Sequence, residues 1–338
     1  MAKGTPRKVG ILVGFENTFP QAFIDAVNKK GNGEVVAEFA SVGVTKDNDG
    51  KRYDVLVDRI SHEIEMYKPW LKQEALNGAY VINDPFWWNA DDKYFDNALV
   101  AKLGVAVPRT VVLPSQTPHP RTTSKSYRNM ALMDWDEIFN YIKFPLFMKP
   151  YDGGGWRNVY KCRTPEEVFE NYHQSGQLVM VLQESIEFDS YCRCLCIGKD
   201  RIIPIKYDPK AKETTGFGAY LDSDEFEPGK SALADRIHRD ARVINHALNY
   251  DMNSVEFAIR DGIPYAIDFM NPAPDMDYYS ITPKYFDRVV EAMSGFAVEI
   301  AKIGRPLNTE HYPWRALVEN GGELPQRIPI AKEPVSAK

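Results

Sequence analysis

Phe147-Met148-Lys149-Pro150-Tyr151-Asp152-Gly153-Gly154-Gly155-Trp156-Arg157-Asn158-Val159 reads as a short apolar strand that delivers a lysine, three consecutive glycines, and a second strand opening at Val159. That order puts the glycines at the tip of a hairpin. Glycine lacks a Cβ and tolerates positive φ, so several backbone N–H groups of such a loop can converge on one anion, with the Lys149 ammonium as a point charge beside them. A phosphate is the anion the loop suits best. A flexible hairpin is the competing reading of the same residues. The stretch is not a Walker loop, because no Gly-Lys-Ser/Thr ends it. The first strand is followed by no Gly-x-Gly-x-x-Gly, which weakens a dinucleotide-binding reading.

The chain of 338 residues is 44% hydrophobic and 12% aromatic, ample material for two or three packed lobes. Its 41 basic and 47 acidic residues leave a net charge of -6, so there is no general basic field, and neither nucleic acid nor an anionic membrane is an expected partner. The basic start, Met1 to Lys8, leads only into Val9-Gly10-Ile11-Leu12-Val13, too short for a signal or spanning helix. No later run approaches about 18 apolar residues. A soluble, cytoplasmic protein is expected. Cys192, Cys194 and Cys196 alternate, which places them on one face of a strand, as buried free thiols in preference to a metal site that lacks a fourth ligand at zinc-like spacing.

Upstream of the glycine stretch, strands at Val9 to Val13, Glu34 to Phe39, Asp54 to Val57 and Tyr80 to Ile82 alternate with helices at Pro20 to Lys30 and Tyr67 to Leu76, the pattern of an α/β domain with a mainly parallel sheet. Arg59, just past a strand, is a candidate anion contact, because open sheets of this kind bind ligands at their carboxyl ends. A helix is expected at Asp92 to Leu103 and a strand at Thr110 to Leu113. Lys93 falls in that helix's first turn, a poor place for a cation unless an anion compensates. Pro114 to Arg128, with Arg121, Lys125 and Arg128, is expected as a loop or an ordered lid. Trp87 and Trp88 are expected in a core or between lobes.

Downstream, Thr164-Pro165-Glu166-Glu167 is a helix start. Strands follow at Val179 to Gln183, Tyr191 to Ile197 and Arg201 to Tyr207, and the stretch Lys210 to Gly229 reads as a polar loop. Amphipathic helices are marked by Leu233, Ile237, Ala241, Ile244 and Leu248, and by Val289, Met293, Phe296 and Ile300. Between them two strands, Ser254 to Ile259 and Tyr265 to Phe269, are joined by a turn at Arg260-Asp261-Gly262. That hairpin can bring Glu256, Asp268 and Asn271 together, and oxygen ligands of this sort suit Mg²⁺. The tail beyond Gly304 shows no core pattern.

The order of these features resembles the ATP-grasp superfamily, and within it the carboxylate–amine ligases typified by the glutathione synthetases, the ribosomal-protein glutamate ligases and the D-alanine ligases. The likeness runs over about residues 80 to 303, through Asn83, Asp92-Lys93, Val107-Pro108-Arg109-Thr110, Phe147 to Gly155, Leu182-Gln183-Glu184-Ser185-Ile186, Arg193, Glu256, Asp268 and Asn271-Pro272. The resemblance implies an N-terminal parallel α/β domain over 1–110, a small lobe with the glycine-rich loop over 111–188, a large lobe with the metal site over 189–305, and a tail over 306–338, with ATP sandwiched between the two α+β lobes. It implies that Lys93 and Lys149 contact the ATP phosphates, that Gly153, Gly154 and Gly155 fold over them, and that Glu184 and Ser185 hold the adenine. It gives the ribose to Asp189 or Glu187, since Tyr191 stands where the family has a carboxylate, and it puts Lys206 near a further basic position. Lys149 and Arg193 would be the catalytic cations, and Glu256, Asp268 and Asn271 the ligands of Mg²⁺, or of Mn²⁺. Asp268 and Asn271 are three apart, where the family has two, so a bulge is expected at Phe269 or Met270.

The implied chemistry is ATP-dependent joining of a carboxylate, from an amino acid or a peptide, to an amine through an acyl phosphate, with positioning and charge neutralisation by Mg²⁺, lysine and arginine. A phosphotransferase and a non-catalytic ATP-binding module are the alternatives on the same scaffold. The oligomeric state, a homodimer included, stays open.

Overall fold

The computed structural model describes residues 5–86, 92–211 and 218–304, with Trp314 and Val318. The chain opens as β1 (Arg7–Leu12), α1 (Phe19–Gly31), β2 (Val35–Phe39), β3 (Val55–Asp58), α2 (Tyr67–Leu76) and β4 (Tyr80–Ile82). Runs such as Val55-Leu56-Val57 are apolar on both faces, and the four strands form one parallel sheet, in the order β2-β1-β3-β4, covered on both sides. Phe19, Phe23 and Val27 recur at helical spacing on α1 and are fully buried.

The second sheet follows α3 (Lys93–Lys102), whose first turn is capped by the Asp92 carboxylate accepting from the Phe95 N–H at 2.8 Å. β5 (Thr110–Leu113), α4 (Trp135–Ile142), β6 (Leu146–Pro150), β7 (Tyr160–Cys162), α5 (Pro165–Ser175) and β8 (Met180–Glu184) build an antiparallel sheet in the order β5-β8-β6-β7. Leu146, Met148 and Leu182 pack into a core with Ile142 and Val168 from α4 and α5. Side chains alternate along a strand, so Phe147 and Lys149 face the other way.

The third sheet contains β9 (Ser190–Ile197), β10 (Arg201–Asp208), β11 (Ala219–Leu221), β12 (Met252–Arg260) and β13 (Ile263–Asp268), in the order β11-β10-β9-β12-β13, with α6 (Ala232–Ala247) inserted before β12. α6 covers the face that carries Cys192, Cys194 and Cys196; all four cysteines of the chain are free and buried. The opposite face, through Leu195, Ile197 and Met252, joins a core with the parallel sheet and the final helix, α7 (Tyr278–Ile303). α7 is broken at Thr282, whose φ of 69° is outside the helical region and which precedes Pro283. Among the described residues no helix is long and apolar enough to cross a membrane.

Several elements differ from the sequence expectation. α4 was not expected; it starts where the Asp134 carboxylate accepts from the Glu137 N–H at 3.0 Å. α7 begins well before the apolar positions that mark it, and β11 lies inside the stretch read as a polar loop. Trp314, in the tail without a core pattern, packs its ring tilted against Phe86 with ring centroids 5.1 Å apart. Trp87, Trp88 and residues 212–217 of the stretch read as a polar loop lie outside the described residues.

Arg59 stands just past the end of β3 as expected, with its charge already taken up within the fold. It is 3% exposed, ion-paired with Glu16, donates to the Pro274 carbonyl at 2.7 Å and lies over the Phe19 ring at 5.2 Å. It clamps the loop after β1 to the segment ahead of α7. Removing one partner of a buried pair typically costs about 3–5 kcal/mol, because the other charge is left without compensation. Arg59→Met is therefore expected to lower the melting temperature by at least about 5 °C, and Glu16→Gln added to it to recover half of that loss or more; a single variant as stable as the parent would deny the clamp.

Candidate functional site

Lys149 leaves β6 on the face turned away from that lobe's core, and across from it stand two carboxylates of the third sheet. Burial pulls the Lys149 ammonium below the ordinary lysine value; Asp268 and Glu256 pull it back up, and Lys93 adds to the depression. Glu256 on β12 and Asp268 on β13 are register partners, so their side chains share a face. Lysine and carboxylate pair thus lie within electrostatic reach of one another.

Around Glu256 the arrangement is tightly held. Arg193 pairs with it at 2.6 Å and is its register partner on β9, while the Tyr191 hydroxyl donates to its other oxygen. The Arg193 guanidinium also donates to the Tyr220 hydroxyl at 2.7 Å and lies over the rings of Tyr207 and Tyr220 at 5.4 and 5.7 Å. Burial works against the Arg193 charge, yet Glu256 together with Tyr220, Tyr207 and Tyr191 outweighs it, so the pKa is raised. Burial likewise raises Glu256, opposed by Arg193. The Arg193 Nε is buried without a hydrogen-bond partner.

The glycine loop projects between β6 and β7. Gly153 and Gly155 have φ of 74° and 71°, while a Cβ on Gly153 or Gly154 would meet nothing within 4 Å, so backbone conformation and not crowding requires glycine there. Lys93, which opens α3, donates its backbone N–H to the Tyr151 carbonyl at 2.9 Å and its ammonium to the Gly153 carbonyl. The compensating group for a cation in a helix's first turn is here the loop itself. Arg157, past the glycines, comes within 3.8 Å of Glu63 in the N-terminal region.

At the joint between lobes, Glu184 ends β8 with its carboxylate between Arg109 at 3.0 Å and Arg260 at 3.6 Å. Burial raises its pKa, but Arg109 outweighs that and holds it below the usual range. The N–H groups of Glu184 and Ser185 are bonded to the carbonyls of Arg109 and Pro145 at 2.9 and 3.2 Å. Asp189 accepts from the Asp261 N–H at 3.2 Å and so ties the linker to the β12–β13 turn. Beside the joint, Ile186, Tyr191 and Ala258 form a small apolar cluster with the partly covered Phe188, Tyr207, Tyr265 and Ile267.

Two expected site residues are not brought in as expected. Lys206 is the register partner of Cys192, hence on the face opposite Arg193, and its ammonium pairs with Glu225 at 2.8 Å. Its neighbour Tyr207 occupies the Arg193 face. Asn271 lies past the end of β13, its side-chain oxygen accepting from the Ala273 N–H at 3.3 Å and its N–H donating to the buried Asn253 at 2.9 Å. The bulge exists but precedes Asp268: Phe257 faces Ala266 while Glu256 faces Asp268, so Ile267 is the extra residue, not Phe269 or Met270. The extra residue lets Ile267 and Asp268 both address the side that carries Glu256. The tyrosine cage of Arg193 and the apolar cluster were not found in the sequence, although strand alternation from Arg193 points at Tyr191 and Leu195, and the hairpin register at Tyr207.

No protein-family model matches the sequence, and no curated protein matches it. Solved structures do. The D-alanine–D-alanine ligase from Bacillus anthracis complexed with ATP superposes with a TM-score of 0.59 at 16% identity, over 88% of this chain and 99% of that one. A macrocyclase from Microcystis aeruginosa bound with a precursor peptide gives 0.60 at 12%, over 86% and 99%. The ATP-grasp ligase PsnB, complexed with minimal precursor, Mg and ADP, gives 0.55 at 12%, over 88% and 97%. The fold is that of the ATP-grasp carboxylate–amine ligases.

Because burial depresses the Lys149 pKa, its charge costs stability below that lowered value, and the cost fades as pH rises toward the ordinary 10.5. Lys149→Met, similar in length and uncharged, is expected to melt higher than the parent at pH 7 in the absence of nucleotide, with the gain shrinking toward pH 10. A variant that melts lower at pH 7 would mean that attraction to Asp268 and Glu256 outweighs burial.

Proposed function

We propose that the cleft binds ATP with a divalent cation and that the chain is a ligase joining a carboxylate to an amine. The observation that carries this reading is Lys149 on one sheet facing the Glu256–Asp268 pair on another. The three structures above are called ligases or macrocyclase and carry, in their own descriptions, ATP, or Mg with ADP, or a precursor peptide. That supports ATP, Mg²⁺ and a small or peptide substrate here.

The donor set fits such a ligand. Lys149 is a cation whose burial is only partly compensated by the carboxylates it faces, a state that a triphosphate would relieve. Glu256 and Asp268 supply hard oxygen ligands on one face, which would hold Mg²⁺ or Mn²⁺, and Asn271, three residues past Asp268, would add a third donor only by releasing the Ala273 N–H. Lys93 and the backbone of Gly153 to Gly155 would close on the phosphates, and Phe188, Tyr207 and Ile267 offer an apolar wall for the base. Arg193 would act first as the residue that orients Glu256. ATP would supply activation of the carboxylate as an acyl phosphate, from which an amine displaces phosphate. The protein's part is to position and to neutralise charge, so no side-chain nucleophile is called for.

The test is release of ADP with Mg²⁺ present, carboxylic acids and amines being added singly and in pairs. Release only with both partners, lost with EDTA and reduced at least about 100-fold in Lys149→Met, is the expected result. Release with one partner alone would select a phosphotransferase. If ATP with Mg²⁺ neither raises the melting temperature nor is consumed under any pairing, the cleft assignment fails.

A further inference from the structure

Two residues of β9 reach the same carboxylate. Tyr191 and Arg193 are two apart on that strand and share a face, while Cys192, Cys194 and Cys196 take the opposite face under α6. Arg193 is the register partner of Glu256, and Tyr191 that of Ala258, two positions further along β12 on the Glu256 side. Ala258 has only a methyl group, and diagonal neighbours on paired strands are within reach of an aromatic side chain. The Tyr191 hydroxyl donates to one Glu256 oxygen, and Arg193 pairs with the other at 2.6 Å. Tyr191 is itself 5% exposed and packed against the rings of Phe188 and Tyr207, with centroids at 5.3 and 5.7 Å.

The division of donors matters. An arginine can serve both oxygens of a carboxylate by bidentate pairing. Here the other amino group of Arg193 donates to the Tyr220 hydroxyl at 2.7 Å, and the phenol takes the second Glu256 oxygen. Donors from two separate positions fix the direction of a carboxylate more firmly than one guanidinium that can move with it. The charge count favours a phenol in that place. Arg193 and Lys149 already stand against Glu256 and Asp268, so a further cation would turn the site against a metal ion, whereas a phenol holds Glu256 without adding charge. An ionised carboxylate has about four lone-pair sites, and those not engaged by these two donors remain for a hard cation.

We infer that Tyr191 is a positioning residue for the metal: its hydroxyl, acting with Arg193, sets the direction in which Glu256 offers its remaining lone pairs, and so sets the affinity of the site for a divalent cation. The inference rests on the reading of the cleft as a site for ATP and Mg²⁺. Loss of a donor behind a metal ligand typically weakens metal binding by about 10- to 100-fold.

The test is Mn²⁺ binding to the full chain at a saturating concentration of a non-hydrolysable ATP analogue, with free Mn²⁺ read by electron paramagnetic resonance. Tyr191→Phe, which keeps the ring, is expected to bind Mn²⁺ at least about ten-fold more weakly, while its affinity for the analogue in EDTA stays within about two-fold of the parent's. The Mg²⁺ concentration for half-maximal ADP release is expected to rise in step, with the rate regained at high Mg²⁺. Glu256→Asp keeps the charge and leaves Tyr191 in place, but its carboxylate is one methylene short of both donors. It is expected to lose Mn²⁺ affinity as well, and Tyr191→Phe added to it to weaken binding by less than about two-fold more, because the two act through one contact. Mn²⁺ binding in Tyr191→Phe equal to the parent's or tighter would overturn the inference even if the variant melts lower, since a lower melting temperature alone is what a purely structural hydrogen bond would give. If Tyr191→Phe does not fold, Glu256→Asp decides, and parent-like Mn²⁺ affinity there would overturn it. A parent chain that binds the analogue but no Mn²⁺ would reject the metal site, and this inference with it.

Discussion

A cation and two carboxylates face each other between the second and third sheets, and the geometry of both lobes serves that encounter. Lys149 can reach the cleft only because Leu146 and Met148 take the opposite side of β6 into an apolar core. Glu256 and Asp268 share a face only because β13 carries one residue more than β12 at that point. Neither side is a favourable surface in isolation: burial lowers the lysine's affinity for its proton and raises that of Glu256. Groups held in such a state are found where function competes with stability.

Arg193 shows how the electrostatics is fixed in place. Its guanidinium has one amino group on Glu256, another on Tyr220, and tyrosine rings over its faces, so it has little freedom to leave. Glu256 is in turn held by Tyr191 and Arg193 from one neighbouring strand. A carboxylate restrained in this way presents its charge with little reorganisation when a ligand arrives.

How much of this the sequence disclosed depends on how local each signal is. The glycine hairpin, Lys149, the alternating strands and helices and the Glu256–Asp268 turn are written in runs of a few residues, and the fold follows them. α4 has equally local signals, the Asp134 cap and Trp135, Ile138 and Ile142 at helical spacing, but they are overshadowed by the proline-rich loop before them. Arg59 was beyond such reading, because its partners Glu16 and Pro274 lie 43 and 215 positions away. Lys206 is a different case. The cysteine row and the β9–β10 hairpin together imply that it shares the Cys192 face, an inference open from alternation alone once the register is known. The position of the bulge could not be read, since either side of Asp268 allows one extra residue.

The three sheets are not equivalent as mechanical bodies. α7 and the core around it join the parallel sheet to the third sheet, whereas the second sheet keeps a core of its own with α4 and α5. Two sheets thus form a single chassis, and the second is a jaw attached to it through the segments on either side of β5 and after β8. Glu184 sits at that pivot holding one arginine from each part, Arg109 from the jaw and Arg260 from the chassis. Were the second sheet to move as a unit about that joint, Lys149 and the glycine loop would travel with it, while Glu256 and Asp268 would stay with the parallel sheet and α7.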